Sequence, residues 1–220
     1  MSKYTKGYMG DQIGKLGPAV GARWKGRTVM RSYQKYVRNP RTEAQQLVRS
    51  RFRVLSKLAS AFHSANLLGL RQSAVSAAMT EGNIFSRLNW DKVTAVSPDE
   101  VSVNFSALSL SDGTLPEATF GAVDFGEGSH LHVEATLSGG ADQPGASEQD
   151  QVYLFAYCPD RYQGVLGSPV PRTADKVSVN VPASWDGMEI QLYGFAIGAA
   201  DGQNAGRSSA TAYCGSGEVA

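Results

Sequence analysis

Acidic side chains are nearly missing from the first third of this chain. Residues 1–71 hold two, Asp11 and Glu43, against 15 Lys and Arg, a net charge of +13. The segment therefore cannot neutralise its own basic groups. Cysteine is scarce as well. Two in 220 residues, Cys158 and Cys214, are too few for a disulfide-stapled secreted scaffold. No run of about 18 apolar residues occurs, so no transmembrane helix is expected. The opening Met1-Ser2-Lys3-Tyr4 is charged at once and no apolar stretch follows, so no secretory signal is expected either. The expected location is the cytoplasm, or a particle assembled there such as a virion. Two buried thiols are expected on the same ground, with a Cys158–Cys214 disulfide as the alternative.

Compact motifs of catalysis are also lacking. There is no G-x-S-x-G, no G-x-x-x-x-G-K-[ST] loop and no Cys close in sequence to a His. His130 and His132 lie two apart on an expected strand and would share a face, but no third ligand is near, so no metal site is expected. No cofactor is expected. The chain reads as non-enzymatic, since an enzyme would need a pocket with perturbed titratable groups.

What is present is a steep charge split. Residues 72–220 carry six basic and 18 acidic groups, a net of −12, so the whole is close to neutral at +1. The basic part should seek an anionic partner: nucleic acid, an acidic protein, or the acidic half of a neighbouring copy.

Alternation predicts two strands, Ala19 to Trp24 and Arg27 to Tyr33, joined by a two-residue turn at Lys25-Gly26. Val20, Ala22 and Trp24 would share one face, and Arg27, Val29, Arg31, Tyr33 and Lys35 would share a face of the second strand. So glycine-rich a ribbon should not be stable alone. After Asn39-Pro40, a capping box with Thr42 as N-cap and Gln45 three residues on starts an amphipathic helix. Its apolar face would be Ala44, Leu47, Val48, Phe52, Leu55, Leu58, Ala59 and Phe62. Arg49, Arg53 and Lys57 lie almost opposite. Arg51 points toward the apolar side and must snorkel, find an acid or sit at an interface. His63 is expected at the helix end, where a cation suits the dipole. A second helix is expected over Gln72 to Met79, with a short turn over Asn83 to Leu88.

Beyond Pro98 short strands dominate. Candidates are Val101 to Phe105, Leu108 to Leu110, His130 to Leu137, Gln151 to Cys158, Lys176 to Val181, Glu189 to Ile197 and Ser208 to Cys214, with a long loop over Ser138 to Asp150. The expected fold is α+β: a basic β-hairpin and amphipathic helix over residues 1–97, then an antiparallel β-sandwich of immunoglobulin or fibronectin-III type over 98–220.

Trp24-Lys25-Gly26, Val29-x-Arg31-Ser32 and Asn39-Pro40-Arg41-Thr42-x-Ala44-Gln45 together resemble the opening of an uncharacterised family common in Bacteroidota and their mobile elements. Similar openings occur in small phage-associated structural proteins. Leu110-Ser-x-Gly113-x-Leu115-Pro116 and Ser208-Ser209-x-x-x-Tyr213-x-Gly215 match the family's later pattern. The resemblance implies a β-sandwich after a basic module, and it brings no functional residues with it.

The candidate site is the basic segment. Arg23, Lys25, Arg27, Arg31, Lys35, Arg38, Arg49, Arg53 and Lys57 are the expected anion-binding residues, and Trp24, Tyr33 and Tyr36 the expected stacking residues, in a region that also holds Tyr4 and Tyr8. The expected role is a structural or assembly protein of a virion or mobile-element particle that forms a homo-oligomer or larger assembly. The alternative is a cytoplasmic protein binding DNA or RNA without sequence preference. No membrane partner is expected.

Overall fold

The structure, a computed structural model, describes residues 2–3, 12–126, 132–137 and 143–219. Tyr4, Tyr8, His130 and residues 138–142 of the expected loop lie outside the described residues. The chain divides into two units, Met1–Thr42 and Glu43–Ala220. The division falls at the start of the helical segment and not at 97/98, because the helices share a core with the later strands.

The first unit is a four-stranded antiparallel sheet. Its strands are β1 (Ser2–Lys3), β2 (Gly14–Leu16), β3 (Ala19–Trp24) and β4 (Arg27–Ser32), in the order β1-β4-β3-β2. The expected hairpin is its centre. Lys25 at φ 44° and Gly26 at φ 75° make the two-residue turn, as a hairpin whose two central residues have positive φ requires. Register pairs Val20 with Arg31, Ala22 with Val29 and Trp24 with Arg27. Among its described residues only Gly21 and Thr28 are buried, so this sheet encloses no apolar core of its own.

The second unit opens with α1 (Glu43–Ala61), α2 (His63–Gly69), α3 (Arg71–Ala77) and α4 (Glu81–Leu88). α1 starts directly after Thr42, where the capping spacing places it. α4 is a full element where only a turn was expected. Thr80 caps it, its hydroxyl accepting from the Asn83 amide at 3.3 Å. His63 opens α2 and does not close α1, because the chain breaks at Phe62. It therefore sits at the positive end of a helix dipole, contrary to expectation.

Strands follow: β5 (Val93–Ala95) and β6 (Val101–Val103) form a small hairpin, then come β7 (Phe120–Asp124), β8 (His132–Leu137), β9 (Gln151–Cys158), β10 (Gln163–Leu166), β11 (Val170–Pro171), β12 (Lys176–Asn180), β13 (Glu189–Ile197) and β14 (Ala212–Glu218). One sheet runs β10-β9-β13-β14, with β11 also on β9. A three-stranded sheet runs β12-β8-β7. All pairings are antiparallel. Leu108 to Leu110 is not a strand, and the last strand begins at Ala212. Ser208 and Ser209 make only isolated bridges, the Ser208 hydroxyl being turned onto the Gly69 carbonyl at 2.8 Å.

β9 and β13 explain the layering. Leu154, Ala156, Leu192 and Ile190 face Val133, Ala135, Val177 and Val179 of the three-stranded sheet. Phe155, Tyr157, Tyr193 and Phe195 face Leu55, Leu58, Phe62 and Phe85 of the helices. Phe62 sits at the centre of that second layer, with ring centroids of Phe155, Tyr157 and Tyr193 at 5.3, 4.7 and 5.8 Å. Burial of these aromatic rings in one cluster ties the helices to the sheet.

Candidate anion-binding surfaces

The expected binding residues fall into two groups, one in each unit. In the first unit, Arg27 and Arg31 on β4 share a face with Val20, Ala22 and Trp24 across the register. Arg23 pairs with Thr28 and lies on the opposite face, and Lys25 occupies the turn. Trp24 is 50% exposed and Tyr36 is 82% exposed. Lys35 and Arg38 follow β4 and are exposed. Two cations stack on rings: Lys15 Nζ lies 4.0 Å from the Tyr33 centroid, and Lys35 Nζ lies 5.6 Å from that of Tyr36. Lys15 was not foreseen. Its place opposite Val20 is set by β2, a strand too short for alternation to reveal. No described carboxylate lies within ion-pair distance of Arg27, Arg31, Lys35 or Arg38.

In the second unit, Arg49, Arg53 and Lys57 lie on the exposed side of α1. Arg53 and Lys57 line an open cleft of about 800 Å3, with Ser56 and Ser60 beside them. The facing wall is Tyr162 and the first residues of β10. Lys57 Nζ sits 4.9 Å from the Tyr162 ring centroid. This wall comes from a strand about 100 residues downstream and carries no signal near the helix in sequence.

Arg51 resolves as an internal pair. Its guanidinium lies 4.2 Å from the Trp90 ring centroid, donates to the Trp90 carbonyl and approaches Asp91 Oδ1 at 3.6 Å. It is thus committed to the fold and is not part of either anion-binding group. Phe52, expected in the core, is 51% exposed, its ring 6.0 Å from Trp90. The buried stripe of α1 runs through Leu55 and Leu58 and continues to Phe62 just beyond its end, which leaves Phe52, Val48 and Ala44 on its uncovered flank.

The other groups noted in the sequence lie in the second unit. His132 Nδ1 meets Asn180 Oδ1 at 2.6 Å and its Nε2 meets Glu134 Oε1 at 3.2 Å. Lys176 Nζ donates to Glu134 Oε2 at 2.7 Å and holds that carboxyl below the usual range, while the lysine is raised in turn. No group of three potential metal ligands occurs among the described residues. Cys158 and Cys214 are both free thiols. Burial pushes Cys214 up to about 12. No helix among the described residues is long and apolar enough to cross a membrane.

A family model of unknown function (DUF6266) matches residues 10–214. The chain belongs to the DUF6266 family. The match spans both units, so the basic sheet and the layered β-rich unit are parts of one DUF6266 architecture. No curated protein matches the chain, and no solved structure does.

Proposed function

We propose that this DUF6266 protein is a non-enzymatic assembly protein whose basic N-terminal sheet docks on the acidic surface of a neighbouring copy. One observation carries the reading. The sheet bears Arg27 and Arg31 beside an exposed Trp24, has no described acid to neutralise them, and buries almost nothing of its own. Such a sheet gains stability from a partner. The same chain supplies one of opposite sign: residues 1–42 hold ten Lys and Arg against one acid, and residues 43–220 hold 19 acids against 11 bases. The resemblance of the opening motif to phage-associated structural proteins supports a place in a virion or mobile-element particle. We read the five- and three-stranded sheets as an immunoglobulin- or fibronectin-III-like sandwich, supported by their antiparallel pairing and shared apolar layer.

Exposed aromatics among the bases favour a second reading, in which the sheet binds single-stranded nucleic acid by stacking and phosphate neutralisation. Neutralising Arg27, Arg31 and Lys35 to Gln separates the two. Assembly through acidic surfaces weakens without any nucleic acid present. Nucleic-acid binding instead loses about three units of salt-dependence slope, roughly one per phosphate contact.

A further inference from the structure

The cleft between α1 and β10 has the features of a strand-capture site. β10 ends its sheet, so its edge away from β9 has no strand partner among the described residues. The Gly167 amide donates to the Leu154 carbonyl at 2.8 Å. Antiparallel ladders alternate, so this bond fixes the phase: Gly164 and Leu166 aim their N–H and C=O groups outward. Gly164 keeps the strand close under α1, since a Cβ there would stand 2.7 Å from the Ala61 carbonyl oxygen and 2.2 Å from Phe155 Cζ. No side chain at that position screens the open edge.

The wall above this edge is cationic. Arg53 and Lys57 have no described carboxylate within ion-pair distance. At the hairpin tip Asp160 and Arg161 offset each other. The Ser56 and Ser60 hydroxyls donate to the Phe52 and Ser56 carbonyls at 2.8 and 3.0 Å, which leaves their oxygens facing the cleft as acceptors. Lys57 lies over Tyr162 and Ala61 lies against Gly164, so helix and strand advance together. Four helical residues rise about 6 Å, close to the roughly 6.8 Å between alternate residues of a strand. Carboxylates at positions i and i+2 of an added strand therefore match Arg53 and Lys57.

We propose that this cleft captures an extended acidic peptide segment of a partner protein, which adds as a strand at β10 and sets alternate carboxylates against Arg53 and Lys57. This does not rest on the N-terminal sheet. The test uses the full chain carrying R27Q, R31Q and K35Q, so that the sheet does not compete for the probe. The probe is a fluorescein-labelled ten-residue peptide alternating Glu with Val or Thr. It should bind, and R53Q/K57Q should weaken it about tenfold, the loss of two partly exposed charge pairs. A version with Pro at alternate positions, lacking strand N–H donors, should fail. Hydrogen exchange should show the Gly164 and Leu166 amides protected by the intact peptide. The proposal is overturned if R53Q/K57Q binds as well as its parent, if the Pro peptide binds equally, or if those amides gain no protection. Displacement by single-stranded DNA without such protection would assign the cleft to phosphate backbones and overturn it too.

Discussion

At the residue scale, the charged side chains that the fold itself uses are the ones held inside it. Arg172 and Asp150 form an ion pair at 3.1 Å with both side chains 1–2% exposed. The guanidinium also donates to the Glu117 and Pro116 carbonyls, and Asp150 accepts from the Ser147 and Ala199 amides at 2.9 and 3.2 Å. Four loops, at residues 116–117, 147–150, 172 and 199, therefore meet on one satisfied pair. Arg172→Ala should cost about 3–5 kcal/mol, because it leaves a buried carboxylate without its cation; denaturant titration against wild type measures this. Phe52 on α1 and Phe62 just beyond its end make a contrasting pair. Phe62→Ala should cost about 3–5 kcal/mol, whereas Phe52→Ala should cost under about 1 kcal/mol, in keeping with its exposed ring. Equal losses for the two would contradict the assigned buried stripe. Both cysteines should resist a thiol reagent in the native protein at neutral pH and both should react after denaturation without reductant. A missing thiol in that second step would mean a disulfide.

At the scale of elements, legibility followed burial on two faces or one. β9 and β13 read directly from the sequence with their observed bounds, since Val152 to Cys158 and Ile190 to Ile197 are nearly continuous apolar runs buried on both sides. The Lys25-Gly26 turn was equally plain. β7 and β10 were not. Phe120–Asp124 and Gln163–Leu166 are short, partly exposed and lack clear alternation, and their pairing is fixed by distant strands. α1 was found, but its face was rotated: eight apolar positions suggested a wide stripe, and the core covers only its later turns. Arg51 looked anomalous because its partners, Trp90 and Asp91, come from a separate turn. The basic residues were all visible in sequence, yet the cleft wall at Tyr162 and Gly164 was not, because nothing local links residue 57 to residue 162. The same buried aromatic layer makes an alkaline prediction. Burial raises Tyr157, Tyr193 and Cys214 above their ordinary values of 10.0, 10.0 and 9.0. Groups raised in the folded state contribute stability that is full below the unfolded values and is lost as pH climbs through them. The urea midpoint should therefore hold up to about pH 9 and fall steadily above it. A midpoint unchanged at pH 11 would contradict the buried placement.

At the scale of the whole molecule, the basic segment runs past the structural division. The sequence places the change of sign after residue 71, and the structure divides the chain at 42/43. The basic groups between those points, four on α1 and Arg71 at the start of α3, belong to a unit that is acidic overall. That separates two anion-seeking surfaces with different architecture: a sheet with no core and a cleft beside a strand edge. Sedimentation velocity of wild type and the R27Q/R31Q/K35Q variant, free of nucleic acid, reports whether the basic sheet drives self-association. It should be run at about 0.1 M and about 1 M salt, where the screening length falls from about 10 to about 3 Å. Wild type should self-associate at the lower salt, the variant should do so less, and both should approach the monomer at the higher. A wild type that is monomeric at both salts, or a variant that associates as well as wild type, would contradict docking through the basic sheet.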